Sequence, residues 1–154
     1  MLRSLNRAVQ HSGTDTFLTA VFGILDLSAA AVRLHLACGG HPLPIHVRSG
    51  STTTIGRPGT LLGVFTHGRF EVCEVDLKLG DVVVFYTDGA TDIPPPNLRT
   101  ASQFAELVGS AARQSRTAAA IADRLRDAPD AIQPFSRRHD DVALLVVRIR
   151  EIET

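Results

Sequence analysis

Five consecutive apolar residues, Val82-Val83-Val84-Phe85-Tyr86, stand between Gly80-Asp81 and Thr87-Asp88-Gly89. The run has no polar face. It therefore predicts a strand buried on both sides, at the centre of a sheet. Gly80-Asp81 reads as the tight turn that leads into it, and Thr87-Asp88-Gly89 as the point where it stops.

Such a strand needs neighbours and cover, and the rest of the chain offers both. Val32 to Cys38 alternates, with Val32, Leu34, Leu36 and Cys38 on one face and Arg33 and His35 on the other. Phe17 to Leu27 reads as a long, largely buried strand, joined to it by a short turn as an antiparallel pair. Leu43 to Val47 predicts another short strand after Gly39-Gly40-His41-Pro42. Glu71 to Leu79 alternates again, with Cys73, Val75, Leu77 and Leu79 facing one way. A last strand is expected over Val142 to Ile149, antiparallel to Val82–Tyr86.

Helices are expected in three places. Leu2 to His11 carries Leu2, Leu5 and Val9 at helical spacing, and Gly13 ends it. Thr100 with Gln103 has the form of a capping box, opening a helix with Phe104, Leu107, Val108 and Ala111 on one stripe. A second helix follows, buried through Ala118, Ile121, Ala122 and Leu125. Ser49 to Gly68 reads as loop, with Thr52-Thr53-Thr54 an edge or loop, and Pro94-Pro95-Pro96 as a stiff loop. Strands, then a helical pair, then a closing strand predict an α+β fold with mostly antiparallel β-sheets and flanking helices.

Charge and composition narrow the function. Sixteen Lys+Arg balance sixteen Asp+Glu, so there is no electrostatic footprint for nucleic acid or an anionic membrane. No apolar stretch approaches the roughly 20 residues of a transmembrane helix. The N-terminus has no apolar signal region, and a cytoplasmic location is expected. Cys38 and Cys73 lie in strand-like runs and read as reduced core residues.

The chemistry-bearing candidates are acidic. Asp88 sits where the apolar strand ends, directly before Gly89, and Asp140 and Asp141 sit where the last strand begins. In antiparallel neighbours the end of one strand lies beside the start of the other, so the two sites converge at one sheet edge. Clustered carboxylates with no Cys or His at ligand spacing suit a hard cation, Mg²⁺ or Mn²⁺, and Gly89 allows close backbone approach. On spacing alone the bland alternatives stay open: Asp-Gly after a strand is also a common turn, and Asp before a strand a common solvated cap. His41 reads as a turn residue, and His139, beside Arg137 and Arg138, as part of a solvated basic loop. His11, His35, His46 and His67 form no ligand-spaced set.

Five blocks in series resemble a known family. Phe17-Leu18-Thr19-Ala20 with Asp26 resembles its central hairpin, and Cys38-Gly39-Gly40-His41-Pro42-Leu43-Pro44 its "AGHPPP" turn. Leu61-Leu62-Gly63 resembles its "PLG". Leu79 to Gly89 is similar to "L-x-x-G-D-x-L-x-L-Y-T-D-G", and Asp140 to Val146 to the closing "DD-x-T/A-L-L-V". The family is the metal-dependent protein phosphatases (PPM), in the stage II sporulation protein E / RsbU-like branch.

The resemblance implies an α/β-β/α sandwich and a bacterial serine/threonine phosphatase that hydrolyses phosphoserine or phosphothreonine. It implies a metal site of Asp88, Gly89, Asp140 and Asp141, with Asp88 and Asp140 as ligands and catalytic residues, Asp141 as a support to its neighbour, and Asp92 as a residue that assists without binding the ion. Two Mn²⁺ or Mg²⁺ ions would activate a water. The implied substrate is a phosphorylated anti-sigma-factor antagonist, and an upstream sensory domain or a homodimer is a possible context. Nothing before Phe17 matches the family's "G-D-V-x-G-H-G-x-x-A" segment, whose Asp bridges the metals. The expectation is thus one phosphatase-like domain over 1–154 lacking that ligand segment, with Asp15, Asp26 or Asp92 as replacements to consider. In isolation it is expected to be nearly inactive and to self-associate. The alternative function is a catalytically degenerate phosphatase-like domain that recognises a protein partner.

Overall fold

The structure, a computed structural model, describes residues 1–13, 16–28, 31–91, 100–127 and 141–150. The chain forms two compact units, one of Met1–Leu43 with Ile55–Leu77, the other of Pro44–Thr54 with Lys78–Thr154. Each carries its own antiparallel sheet.

The first unit holds α1 (Leu2–Gln10), β1 (Ala20–Asp26), β2 (Val32–Gly39) and β5 (Val72–Leu77), with the strands in the order β1-β2-β5. The alternation read in β2 is observed. Leu34, Leu36 and Cys38 are buried, while Arg33 is exposed and forms ion pairs with Asp76 and Glu74 across the strand. The other side of the sheet packs Ala37 with Leu2 of α1, Leu62 and Phe70.

Three expectations for α1, β1 and β5 need correction. The Phe17–Leu27 strand is shorter and not largely buried: β1 starts at Ala20, and Phe17, Ile24 and Leu27 are all more than half exposed. Its position explains this, because β1 lies at a sheet edge and pairs only with β2 among the described residues. Leu79 does not continue the β5 alternation; it stands beyond the strand, in the turn, and is exposed. On α1, Leu2 and Asn6 are the buried pair, one turn apart, and Leu5 is exposed.

The second unit holds β3 (Ile45–Arg48), β4 (Ser51–Thr54), β6 (Val82–Tyr86), α2 (Ala101–Gln114), α3 (Ala118–Asp127) and β7 (Leu144–Arg148), with strand order β4-β3-β6-β7. The apolar run is central, as its lack of a polar face requires, and is antiparallel to β7. Register puts Ile45 opposite Val84, Val47 opposite Val82, and Leu144 and Val146 opposite Tyr86 and Val84. That face is covered by Phe104, Val108 and Ala111 of α2 and by Ile121 and Leu125 of α3. The rings of Tyr86 and Phe104 meet at 4.7 Å between centroids, tilted by 50°. Burying each such side chain contributes about 1.5–3 kcal/mol. Thr100 and Gln103 form the capping box. At Gly109, a Cβ would come within 2.5 Å of the Thr52 hydroxyl, so only glycine lets α2 lie this close to β4.

Two boundaries differ here. Ser49–Gly68 is not all loop: Ser51–Thr54 pairs with β3 through a tight turn at Ser49-Gly50 and forms an edge strand. Threonine is β-branched and half-polar, which suits a strand with one wet side. The last strand begins at Leu144 rather than Val142. Pro94-Pro95-Pro96 lies outside the described residues.

One buried charge joins these strands. Asp81, 2% exposed, stands opposite Arg48, one step beyond the Val47–Val82 pair. It accepts hydrogen bonds from the Arg48 guanidinium at 2.6 and 3.1 Å, from His46 Nε2 at 3.0 Å and from the Lys78 N–H at 2.8 Å. Burial works to raise its pKa, but these donors outweigh it and hold the carboxyl below the ordinary carboxylate value. A depressed folded-state pKa stabilises the fold above the unfolded value of about 4, and the contribution is lost as pH falls through the folded value. Asp81→Asn is expected to cost about 3 kcal/mol at neutral pH, read by urea unfolding, because it leaves His46 and Arg48 facing a neutral partner. The variant should also lose less stability than wild type between about pH 5 and pH 2. Parallel acid profiles for the two proteins would refute this account.

Candidate active site

The acidic candidates lie where the β6–β7 ladder ends. Tyr86 opposite Leu144 is the last regular pair. Beyond it the Thr87 N–H still donates to the Ala143 carbonyl at 3.1 Å. The side chain of Thr87 then takes over from the backbone: its Oγ1 accepts from the Ala143 N–H at 2.9 Å and donates to the Asp141 carbonyl at 3.0 Å. One hydroxyl thus ties the two strand ends together.

Asp88 follows in a short 3₁₀ turn, Asp88–Ala90. Ala90 is fully buried in the core beneath, and its N–H donates to the Thr87 carbonyl at 3.0 Å. The Asp88 carbonyl accepts from both the N–H and the hydroxyl of Thr91, at 2.7 and 3.1 Å. The Asp88 side chain is exposed, and its Oδ1 accepts from the Gly89 N–H at 3.1 Å. At Gly89 a Cβ would come within 2.6 Å of the Asp141 carbonyl, so the close approach of the two segments requires glycine.

The structure therefore brings Asp88, Gly89 and Asp141 to one edge. Asp140, the immediate chain neighbour of Asp141, lies outside the described residues, as do Asp15, Asp92, Arg137, Arg138 and His139. Asp26 belongs to the first unit, where Ser28 donates to it from both N–H and hydroxyl, lowering its pKa. His41 Nδ1 contacts the Pro42 carbonyl at 3.0 Å, the turn role expected of it. The thiol of Cys38 is buried, and burial with Cys73 nearby pushes its pKa up to about 11, so it is no thiolate nucleophile at neutral pH.

The donors gathered at this edge are oxygens, chiefly carboxylate and carbonyl, which fits a hard divalent cation rather than a soft one. Among the described residues, no group of three or more His, Cys, Asp or Glu comes together as a metal cage.

Two groups of importance were not singled out from sequence. Thr87 read only as the end of a strand, and Asp81 only as a turn residue. The available signal for Asp81 was an opposite charge, Arg48, but that pairing becomes visible only once the β3–β6 register is known.

The family model for Stage II sporulation protein E (SpoIIE) matches residues 1–150. The chain belongs to that family. Among solved structures it is similar to the RsbU and RsbW domains of a Mycobacterium tuberculosis protein, with 28% identity and TM-score 0.75 over 97% of this chain and 41% of that one. It is also similar to the PP2C phosphatase domain of SpoIIE from Bacillus subtilis, determined with a fragment of its regulatory domain. There the identity is 21% and the TM-score 0.71, over 94% of this chain and 42% of that one. Protein IcfG of Synechocystis is 26% identical over 89 residues, which is 58% of this chain and 14% of IcfG. The chain thus spans less than half the length of these relatives. This SpoIIE-family chain has the antiparallel sheets and helices of a PP2C-type phosphatase domain, and the PPM family is generally metal-dependent.

The Thr87 hydroxyl makes the tie between strand ends testable. Thr87→Val keeps the shape and removes both hydrogen bonds, and is expected to cost about 1–3 kcal/mol in urea unfolding. Thr87→Ser should retain most of that stability. Equal stability of wild type and the valine variant would show that the hydroxyl does not hold the edge.

Proposed function

We propose that this chain is the carboxylate-bearing part of a bacterial serine/threonine phosphoprotein phosphatase. Its role would be hydrolysis of phosphoserine or phosphothreonine in cytoplasmic anti-sigma-factor partner switching. The observation that carries the proposal is the joining of Asp88-Gly89 to the Asp141 segment through Thr87, on two strands of one sheet. Family membership and the likeness to an RsbU domain support the signalling role.

In this reading Asp88 and Asp140 bind the metal, Gly89 keeps the backbone close, and Asp141 orients its neighbour. A Mn²⁺ or Mg²⁺ ion held by these residues would supply a water of lowered pKa and neutralise phosphoryl charge. The protein's own part is positioning. Asp88 is fixed between the Thr87 tie and the buried Ala90, so its carboxylate points from a rigid strand end and not from a floppy loop. No side-chain nucleophile is needed, in keeping with the protonated state of Cys38. Among the described residues no helix is long and apolar enough to cross a membrane.

Calorimetric titration with Mn²⁺ tests the ligand assignment. Asp88→Asn and Asp140→Asn are each expected to weaken binding by about tenfold or more, with phosphate release from a phosphoserine peptide falling in parallel. Equal Mn²⁺ affinity in wild type and both variants would remove these residues as ligands. Binding of the phosphopeptide without metal uptake or turnover would favour a recognition module instead.

A further inference from the structure

The first unit contains a cleft of its own, lined wholly by its own residues. It has a volume of about 490 Å³, within the range of roughly 300–1,000 Å³ typical of small-ligand sites. Arg3 and Arg7 of α1 line one side, and Thr66 and His67 line the other. Among the described residues, no acidic side chain lines it.

Three features make this more than a surface hollow. Arg3 and Arg7 are four residues apart on one helix, so they share a face. Like charges at that spacing destabilise a helix, and neither guanidinium has an ion-pair or hydrogen-bond partner among the described residues. The cleft is also built on a fixed floor. Asn6, 2% exposed between the two arginines, donates through Nδ2 to the Phe65 carbonyl at 3.0 Å and accepts at Oδ1 from the Gly63 N–H at 2.8 Å. A fully buried amide with both ends satisfied locks the loop to the helix. Phe70, packed against Leu2 of α1, completes the floor.

We propose that this cleft binds a phosphate-class oxyanion between Arg3, Arg7 and the Thr66–His67 loop. The planar guanidinium fork matches a phosphoryl group with paired N–H donors, and a serine or threonine phosphate presents the same oxygens as inorganic phosphate. The Thr66 hydroxyl adds a neutral donor. The cleft volume exceeds what a single phosphate needs, leaving room for the peptide that would carry it. The site belongs to a different unit from Asp88 and stands independently of the phosphatase reading.

The test uses inorganic phosphate as probe in metal-free buffer, so that no ion at the carboxylates takes part. Amide resonances of α1 and of residues 63–68 are followed in the 154-residue chain. Phosphate is expected to shift them saturably, with a Kd on the order of 1 mM or tighter. Arg3→Gln with Arg7→Gln should weaken binding by about tenfold or more, and Arg3→Lys, which keeps the charge but not the fork, by less. Because both arginines are exposed, the double variant should retain the wild-type Tm; if it does not, the wild-type shift map and Arg3→Lys decide. A phosphoserine peptide that binds tighter than both its unphosphorylated form and inorganic phosphate identifies a phosphoprotein as the source. Equal affinity for peptide and inorganic phosphate identifies the free ion. Absence of saturable shifts in α1 and residues 63–68, or identical shifts in the double variant, would overturn the proposal.

Discussion

Asp81 is a carboxylate with almost no access to water, and burying a charge in that way is costly unless donors surround it. Here they do. Arg48 and His46 approach from β3, the Lys78 N–H from the turn, and the Asp81 carbonyl itself accepts from the Ile149 N–H just beyond β7 at 2.9 Å. One residue therefore connects three strands at the entry to β6. A hydrophobic strand can slide in register with little change in its apolar contacts, whereas this carboxylate has its donors in one register only. The position of every residue along β6, including its far end, follows from that choice.

The far end carries the acidic candidates, and their arrangement depends on backbone closeness. At Gly89 the chain passes the Asp141 carbonyl at a distance that excludes any Cβ, and the Thr87 hydroxyl replaces the next pair of ladder bonds. The ladder thus ends without fraying. On the helix-covered face, α2 is held against the edge strand by the same device, with Gly109 over Thr52. Both contacts trade a side chain for proximity, one to pack the core and one to bring two acidic segments together.

How much of this was legible depends on whether the information was local. The Val82–Tyr86 run, the alternation of β2 and the Thr100–Gln103 cap are patterns within a few residues, and each appears as read. Strand ends alone predicted that Asp88 and the Asp140-Asp141 pair converge at one edge; Asp141 is there, while Asp140 lies outside the described residues. What was not legible depends on neighbours distant in sequence. Apolarity alone could not tell that β1 lies at a sheet edge, where Ile24 stays exposed. Nor could it show that Asn6 is the buried residue of α1, because its partners, Gly63 and Phe65, come from a loop 57 and 59 residues away. Asp81 was missed for the same reason, its partners standing 33 and 35 residues away.

Asp81 and Asp88 flank the same five-residue strand, are the same amino acid, and do opposite things. Asp81 is enclosed, accepts from three residues and has its pKa lowered, so its charge is permanent at neutral pH and its bonding capacity is filled. Asp88 is exposed and accepts, through one oxygen, from the N–H of the next residue. A carboxylate has about four lone-pair sites. The first aspartate is therefore suited to holding strands and is closed to a ligand by burial, while the second keeps acceptor capacity at a position made rigid from beneath by Ala90. Environment, not residue type, separates structure from chemistry along this strand, and the separation runs in one direction: the saturated end sets the register that presents the other.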